Sequence, residues 1–342
     1  MADAAREYPE RDTVSIHFVR SAVSGLSAAA QRRVLHAADI PRPLLASASS
    51  RVTAAAFAGL WLSVNRERDD EFFGLDSHRM KMGSFALITY AVLHSRDLDQ
   101  ALRRMLRAFA AILDDIRGGL TVEGGEAILA LETKIRSASS RRFAEETFLV
   151  MVHGLLCWLA GRRIALRRIE FGFAPPAHAA EHAVMFTHNL SYDATRTELR
   201  FDASALKIRI TQTDATVKNF LRNAPQSVFL KYKNLDGWSA RLRRRLRQSD
   251  GGRWPALEEI AEEFNVAPST LGRRLEAEGT TFQLMKDDVR RDLAIHHLHE
   301  STRTVGEIAR SLGFEDVSAF RRAFKKWTGS RPASYRTGTA QN

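Results

Sequence analysis

The chain has 342 residues, of which 44% are hydrophobic and 27% are charged, enough for two ordinary domains with buried cores. Its one cysteine, Cys157, excludes an internal disulfide and favours a reducing, cytoplasmic environment. The net charge of +11 allows binding to nucleic acid or to an anionic surface. However, residues 236–342 hold 19 Lys and Arg against 15 Asp and Glu, so charge alone locates no DNA site.

The apolar segments give no sign of membrane insertion. The first dozen residues are polar and lack the apolar region of a signal peptide. The longest apolar stretch, Phe148–Ala160, is too short to span a bilayer and is interrupted by His153 and Gly154. We therefore expect a protein without a membrane partner.

Residues 14–115 have the apolar periodicity of helices. The clearest predicted helices are Val52–Asn65, Phe85–Leu93 and Leu98–Ile116, and Gly118 and Gly119 are expected to end the last of these.

Strand patterns follow these helices. Leu120–Glu123 and Ala127–Lys134 flank a Gly-Gly turn and predict a β-hairpin. Further elements are predicted as a helix over 141–160, a strand over Ile169–Phe173, a short helix over 177–183, and strands over Leu190–Tyr192 and Glu198–Phe201. The sequence therefore predicts an α+β N-terminal domain over residues 1–210.

A polar linker over residues 211–240 is expected to lead into an all-α domain over residues 241–342. This domain opens on five arginines between Arg241 and Arg247. A solvated helix start or linker is the favoured interpretation of this run, and contact with DNA phosphates is the alternative.

The all-α domain contains a first helix-turn-helix pattern. An apolar stripe from Leu257 to Phe264 is followed by a turn at 265–267 and by Pro268, which suits the first turn of a helix. Leu271 and Leu275 should face inward in that second helix. The polar residues on its outer side are Ser269, Thr270, Arg273 and Arg274, which a helix-turn-helix places at the base edges of the major groove.

A second helix-turn-helix pattern follows. Thr304 and Glu307 form a capping box, Gly313 suits the exit from the first helix, and Asp316 can cap the second. The expected inner face of that helix holds Ala319, Phe320, Ala323, Phe324 and Trp327. Its outer face carries Ser318, Arg321, Arg322, Lys325 and Lys326, where arginine suits guanine and the lysines suit phosphates.

A long helix over Phe282–Glu300 connects the two patterns, with an inner stripe from Val289 to Leu298. Such a connector can hold two recognition helices at a fixed separation. If both enter the major groove from one face of the duplex, they should lie about 34 Å apart.

The stretch from Thr304 to Arg336 resembles the C-terminal signature of AraC/XylS-type transcription regulators, and the resemblance extends back to Trp254. The N-terminal half is similar to the arabinose-binding-type regulatory domain of that family, through Phe171–Pro176 and Leu199–Asp202. The resemblance implies base-reading positions at Ser269, Gly272 and Arg273 in the first recognition helix. In the second it implies Val317, Ser318, Arg321 and Arg322. Gly272 has no side chain, and Val317 offers only an apolar contact.

The family resemblance also implies double-stranded DNA, RNA polymerase and a small-molecule effector as partners, with effector binding and dimerisation in the N-terminal domain. We expect a regulator that activates a nearby operon in response to that effector. Two alternatives stay open: a regulator gated by a partner or by dimerisation without a ligand, and an enzyme fused to a DNA-binding domain.

Other candidate sites have simpler interpretations. Cys157 lies in an apolar run, which favours a core cysteine over a nucleophile. His178 and His182 are four residues apart, but no second ligand pair is evident, so a surface helix is favoured over a metal site. His296, His297 and His299 lack ligand spacing. No cofactor or metal is expected. The aromatic candidates for an effector pocket, each more simply explained as core, are Phe57, Trp61, Tyr90, Phe109 and Trp158.

Overall fold

The computed structural model describes residues 13–229, 238–249, 253–278, 280–300 and 302–336. The helices are α1 (Ile16–Val23), α2 (Ala28–Ala37), α3 (Ala54–Arg68), α4 (Ser84–Leu93), α5 (Leu98–Ile112), α6 (Ala138–Ala160), α7 (Ala179–Met185), α8 (Asp214–Arg222), α9 (Gln226–Phe229), α10 (Trp238–Arg247), α11 (Leu257–Glu263), α12 (Pro268–Ala277), α13 (Phe282–Glu300), α14 (Val305–Ser311) and α15 (Val317–Thr328). The strands are β1 (Thr13–Ser15), β2 (Arg51–Thr53), β3 (Ile116–Glu123), β4 (Glu126–Thr133), β5 (Leu166–Glu170), β6 (Leu190–Ser191) and β7 (Glu198–Asp202).

These elements form two compact units. The sheet unit comprises residues 17–34 and 58–229, and the helical unit comprises residues 13–16, 35–57 and the described residues from 238 to 336. The predicted fold class, a mixed α+β domain followed by a helical domain, is confirmed. The predicted domain boundaries stay predictions. The compact units divide the chain elsewhere, because residues 35–57 pack with the C-terminal helices and α8 and α9 belong to the sheet unit.

The sheet unit is built on five strands in the order β3-β4-β7-β5-β6. All neighbours are antiparallel except β5 and β6. The predicted hairpin is confirmed as β3 and β4, with Gly124 and Gly125 supplying the positive φ angles of the turn. Helix α6 has the length and composition of a membrane span, but its apolar window is completely buried in this unit, as in the core helix of a globular protein.

The sequence suggested that Gly118 and Gly119 end a helix, and this is wrong. Helix α5 ends at Ile112, and both glycines lie within β3. Gly118 lies against α5 and α6 so closely that a Cβ would sit 2.7 Å from Leu106 Cδ2 and 3.2 Å from Phe148 Cε1. The glycine therefore serves the close approach of strand and helices rather than helix termination.

The helical unit contains an N-terminal ribbon in addition to the C-terminal helices. Strands β1 and β2 pair antiparallel, with Thr13 opposite Thr53. The Thr13 hydroxyl donates to the buried Asp292 on α13 at 2.7 Å, and the Arg51 amide donates to the Tyr335 hydroxyl at 3.1 Å. The Ser47 hydroxyl donates to the Thr328 carbonyl, at the end of α15, at 3.0 Å. These bonds join segments that the sequence places almost 300 residues apart.

In this unit one helix begins later than the sequence suggested, and another has a buried face that the sequence did not reveal. The helix predicted from Val52 starts at Ala54, since Val52 and Thr53 belong to β2. The arginine run forms most of α10, a regular helix that buries Leu242 and Leu246. The apolar stripe of α10 has only these two leucines among its charges, so the sequence pattern did not identify its buried face.

Candidate nucleic-acid interface

The two helix-turn-helix patterns form as predicted, and their turns share one geometry. Asn265 and Gly313 follow α11 and α14 with φ angles of 53° and 73°, in the left-handed region. The next amide, of Val266 or Phe314, then donates back to the carbonyl of Ala261 or Ala309, at 3.0 Å in both turns. Glycine adopts this conformation freely, whereas asparagine adopts it at some cost.

The second recognition helix, α15, is fixed by a cap and a buried face. The Asp316 side chain accepts from the Ala319 amide at 2.7 Å, and Gly329 ends the helix at a φ of 68°. Phe320, Phe324 and Thr328 are buried, whereas the predicted inner residues Ala319, Ala323 and Trp327 are half-buried. The exposed side chains are Ser318, Arg321, Arg322, Lys325 and Lys326, and Val317 is half-buried.

The first recognition helix, α12, has a weaker beginning and fewer exposed cations. Pro268 occupies its first turn, and Ala267 at the cap position offers no side-chain acceptor. Leu271 and Leu275 are fully buried, as predicted. Ser269 and Arg273 are exposed, and Thr270 is half-buried. A Cβ at Gly272 would meet no atom within 4 Å, so packing does not require glycine there.

Among the DNA-contact candidates on α12, Arg274 also makes a contact inside the protein. Its guanidinium carbon lies 4.1 Å from the centroid of the Trp238 ring, and Arg241 stacks on the same ring at 4.6 Å. Stacking on an aromatic face stabilises a guanidinium group. Sequence reasoning missed this role because Trp238, the first residue of α10, precedes Arg274 by 36 residues, with α11 between them.

The buried pair in each recognition helix shows which positions of α12 and α15 correspond. Leu271 and Leu275 occupy the positions that Phe320 and Phe324 occupy in α15. Ser269 therefore matches Ser318, and Arg273 matches Arg322. Gly272 matches Arg321, while Glu276 and Ala277 match Lys325 and Lys326. Helix α15 thus presents four cations where α12 presents one.

The exposed cations of α12 and α15 differ from the arginines of α10 in their partners. In the described part of the chain, no acidic side chain pairs with Arg273, Arg321, Arg322, Lys325 or Lys326. Within α10, by contrast, Arg243 lies 3.6 Å from Asp292, and Arg245 donates to Glu263 at 2.7 Å. Arg241 stacks between Trp238 and Phe264. The arginine run therefore serves largely to pack α10.

The connector helix α13 is held to both helix-turn-helix patterns. The guanidinium group of Arg290 lies 4.9 Å from the Trp254 ring, before α11, and 5.2 Å from the Phe314 ring, before α15. The predicted inner stripe of α13 is confirmed, since Val289, Leu293, Ala294 and Leu298 are buried. An arginine between two rings suits a fixed spacing of the patterns.

Asp292 on α13 is a buried charge with several partners. Burial opposes its ionisation, but Arg291, Arg51, Arg243 and the Thr13 hydroxyl together hold the pKa of this carboxyl below its usual range. A buried carboxylate is tolerated only when it is paired in this way. The cluster therefore ties the N-terminal ribbon and α10 to the connector helix.

The structure gives Cys157 the role of a core residue. Burial raises the pKa of its thiol to about 11, and the thiol accepts from the Ile164 amide at 3.2 Å. A protonated, buried thiol is a poor nucleophile. This environment offers no support for the enzyme alternative.

The interpretation of His178 and His182 as residues of a surface helix is wrong. The His182 side chain is fully buried, and that of His178 is only 9% exposed. Both imidazoles contact Glu146 of α6, which precedes His178 by 32 residues. Spacing within α7 could not reveal a partner on another helix.

A cavity of about 130 Å³ lies in the sheet unit. Its lining consists of Trp61, Leu62, Asn65, Glu71, Phe85, Ala86, Met151, Leu221, Ala224, Pro225 and Val228. Of the aromatic pocket candidates, only Trp61 lines it. Phe57, Phe109 and Trp158 are buried without lining it, and Tyr90 is exposed. Burial raises the pKa of the Glu71 carboxyl, although the amides of Gly83 and Phe85 donate to it.

Comparison with known proteins covers both units. Residues 29–210 match the family model described as the arabinose-binding domain of AraC transcription regulators, and residues 260–338 match a helix-turn-helix domain model. The ornithine utilization regulator of Pseudomonas aeruginosa is 28% identical over 90% of this chain and 90% of its own. The regulator VqsM of the same organism is 34% identical over 24% of this chain and 26% of its own. The solved structure of the regulator CdpR, also from Pseudomonas aeruginosa, gives a TM-score of 0.33 at 19% identity, covering 91% of this chain and 99% of that one.

Proposed function

Because the chain belongs to the AraC family of DNA-binding transcription regulators, we propose that α12 and α15 read its operator and that a small effector controls this binding. Under this proposal Arg273, Arg321 and Arg322 read bases, with Ser269, Ser318 and Val317 as shorter contacts. Lys325 and Lys326 hold phosphates. Thr270 and Arg274 border the base-reading face, although Arg274 also stacks on Trp238.

The unpaired cations of the recognition helices carry this proposal. An exposed arginine with no acidic partner keeps its full donor fork for a guanine edge. Exposed lysines near the end of the same helix suit phosphate contacts, which position a protein on DNA without reading sequence. The paired and stacked arginines of α10 and α13 lack this freedom.

DNA binding is tested with the full chain and a random-sequence duplex pool enriched on it. We expect Arg322→Ala to cost about 1–3 kcal/mol on the enriched sequence. Arg107→Ala is the matched control, because Arg107 is exposed on α5, outside the helical unit. If the wild-type chain enriches no sequence over random DNA at moderate salt, or if both variants bind equally well, the proposal fails.

We place the effector in the cavity beside Trp61. A cavity of about 150 Å³ is known to hold a molecule of benzene size, so this one suits a compact organic molecule with an apolar body. The Glu71 carboxylate offers a polar contact at its wall. A small amine or amino acid, as the name of the ornithine utilization regulator suggests for that protein, fits this lining.

A thermal-shift panel of small amines, amino acids and aromatic acids, ornithine included, tests this site, since a ligand of the folded state raises the melting temperature. Ala86→Leu should abolish the shift by filling the cavity. Ala111→Leu should preserve it, because Ala111 is exposed on α5. A ligand whose shift survives Ala86→Leu binds elsewhere, and a panel without any shift favours a regulator gated by a partner.

Homodimerisation, contact with RNA polymerase and activation of a nearby operon complete the proposal, with the family as their support. Sedimentation of the full chain tests the dimer. Transcription in vitro from a promoter that carries the enriched sequence tests the other two. A decrease in transcript on adding the protein would indicate a repressor.

A further inference from the structure

A cluster of buried polar side chains lies in the sheet unit, away from the recognition helices. Glu146 lies on α6, His182 lies on α7, and His178 precedes α7. Glu146 Oε1 is 2.8 Å from His182 Nε2 and 3.3 Å from His178 Nε2. One ligand atom from each residue lies within 4.8 Å of the other two.

The surroundings of this cluster are largely aromatic. The Phe171 ring lies 4.6 Å from the His182 ring, and the His17 ring stacks on His178 at 4.8 Å. Glu146 has a side-chain exposure of 3%. A carboxylate in such a place requires a positive or donating partner. Two imidazoles that converge on one oxygen meet this requirement, and so does a cation held among the three.

A tyrosine orients the more buried histidine. His182 Nδ1 lies 2.9 Å from the Tyr192 hydroxyl, which is itself within 3.4 Å of the Ala179 carbonyl. When the hydroxyl donates to Ala179, it accepts the Nδ1–H of His182, and the Nε2 lone pair then faces Glu146. Two lone pairs 2.8 Å apart repel each other unless a proton or a metal cation lies between them. An oxygen partner on the far nitrogen is the usual arrangement for a metal-binding histidine.

We propose that Glu146, His178 and His182 bind one divalent transition-metal cation, with Zn²⁺ as the best match. Two imidazoles and one carboxylate are a recurrent zinc ligand set, with bonds of about 2.0–2.2 Å. Tetrahedral bonds of that length separate neighbouring ligand atoms by roughly 3.3 Å. The distances from Glu146 Oε1 to the two histidines, 2.8 and 3.3 Å, lie at or below this value, so small outward movements of the side chains suffice. The site is independent of the DNA contacts and of the cavity.

Metal binding by the full chain, stripped with chelator, tests the proposal. Titration with Zn²⁺ alone should give one tight site per chain, and Co²⁺ should give the visible absorption of a tetrahedral complex. His182→Gln should weaken Zn²⁺ binding by more than about 100-fold, and Tyr192→Phe by roughly 10- to 100-fold. His188→Gln is the matched control and should bind like the wild type, because His188 is exposed in the same segment.

Measurements of metal binding by the wild-type chain alone can overturn the proposal, so the test does not depend on whether a variant folds. Absence of stoichiometric Zn²⁺ binding, or a Co²⁺ spectrum of octahedral type, would show that the cluster is a hydrogen-bond network only. Equal loss of binding in His182→Gln and His188→Gln would contradict the assignment of these ligands. Glu146→Gln, which nearly preserves the shape of the side chain, is the second variant and should also lose the site.

Discussion

The two helix-turn-helix patterns share one geometry but depend on different sources of stability. In the second, the Thr304 and Glu307 side chains cap α14 reciprocally, and Asp316 caps α15. In the first, Glu259 accepts from the Ala256 amide, but neither Ala256 nor Ala267 can return a side-chain bond. The second pattern is therefore encoded locally, whereas the first depends more on its neighbours.

Helix α10 is the neighbour that supports the first pattern. Glu278, directly after α12, accepts from the amides of Trp238 and Ser239 at the start of α10. The Trp238 ring in turn holds Arg274 of α12. One consequence is that one arginine of the first recognition helix stacks on a neighbouring ring, while the exposed cations of the second make no such contact within the residues that the structure describes. The comparison teaches that two helices of the same fold can present different numbers of exposed, unpaired cations.

The largest expected effect tests whether the two patterns have equivalent cores. Phe324→Ala should destabilise the helical unit by about 3–5 kcal/mol, and Leu275→Ala by about 2–5 kcal/mol, because both leave cavities. Hydrogen exchange of the full chain, followed by mass spectrometry, reports α12 and α15 separately. If Leu275→Ala has no effect on the exchange of α12, the proposed register between the helices is wrong.

The caps give a smaller and more specific test. Asp316→Ala should cost about 1 kcal/mol through loss of the bond to the Ala319 amide. Ala267→Asp supplies the cap that the first recognition helix lacks, and it should slow exchange in α12 by a comparable free energy. Equal effects of opposite sign would confirm that capping distinguishes the patterns. Faster exchange in α12 of Ala267→Asp would contradict that explanation.

The smallest expected effect concerns Gly272. Its replacement by alanine meets no atom within 4 Å and should stabilise α12 by about 0.5–1 kcal/mol, since glycine is a poor helix former. Affinity for DNA should change little, because neither residue carries a polar group. A loss of affinity above about tenfold would show that DNA approaches the backbone at Gly272 closely.

The success of sequence reasoning follows the range of the interactions. The capping box, the Gly313 turn and the hairpin depend on neighbours along the chain, and all were predicted. The packing of residues 35–57 with the C-terminal helices, the stack of Arg274 on Trp238 and the convergence of His178 and His182 on Glu146 depend on distant residues. Gly118 was misread because a glycine pair suits a helix end and a close strand–helix approach equally well.

We propose that the second recognition helix dominates base reading, with Arg273 as the main contribution of the first. The most direct test measures the affinity of wild-type, Arg273→Ala and Arg322→Ala chains for the enriched sequence and all its single base-pair substitutions. We expect Arg322→Ala to remove about 1–3 kcal/mol of discrimination at one base pair and Arg273→Ala to act at a separate one. A loss of affinity that is the same for every base-pair substitution would show that both arginines contact phosphates only, and it would contradict this proposal.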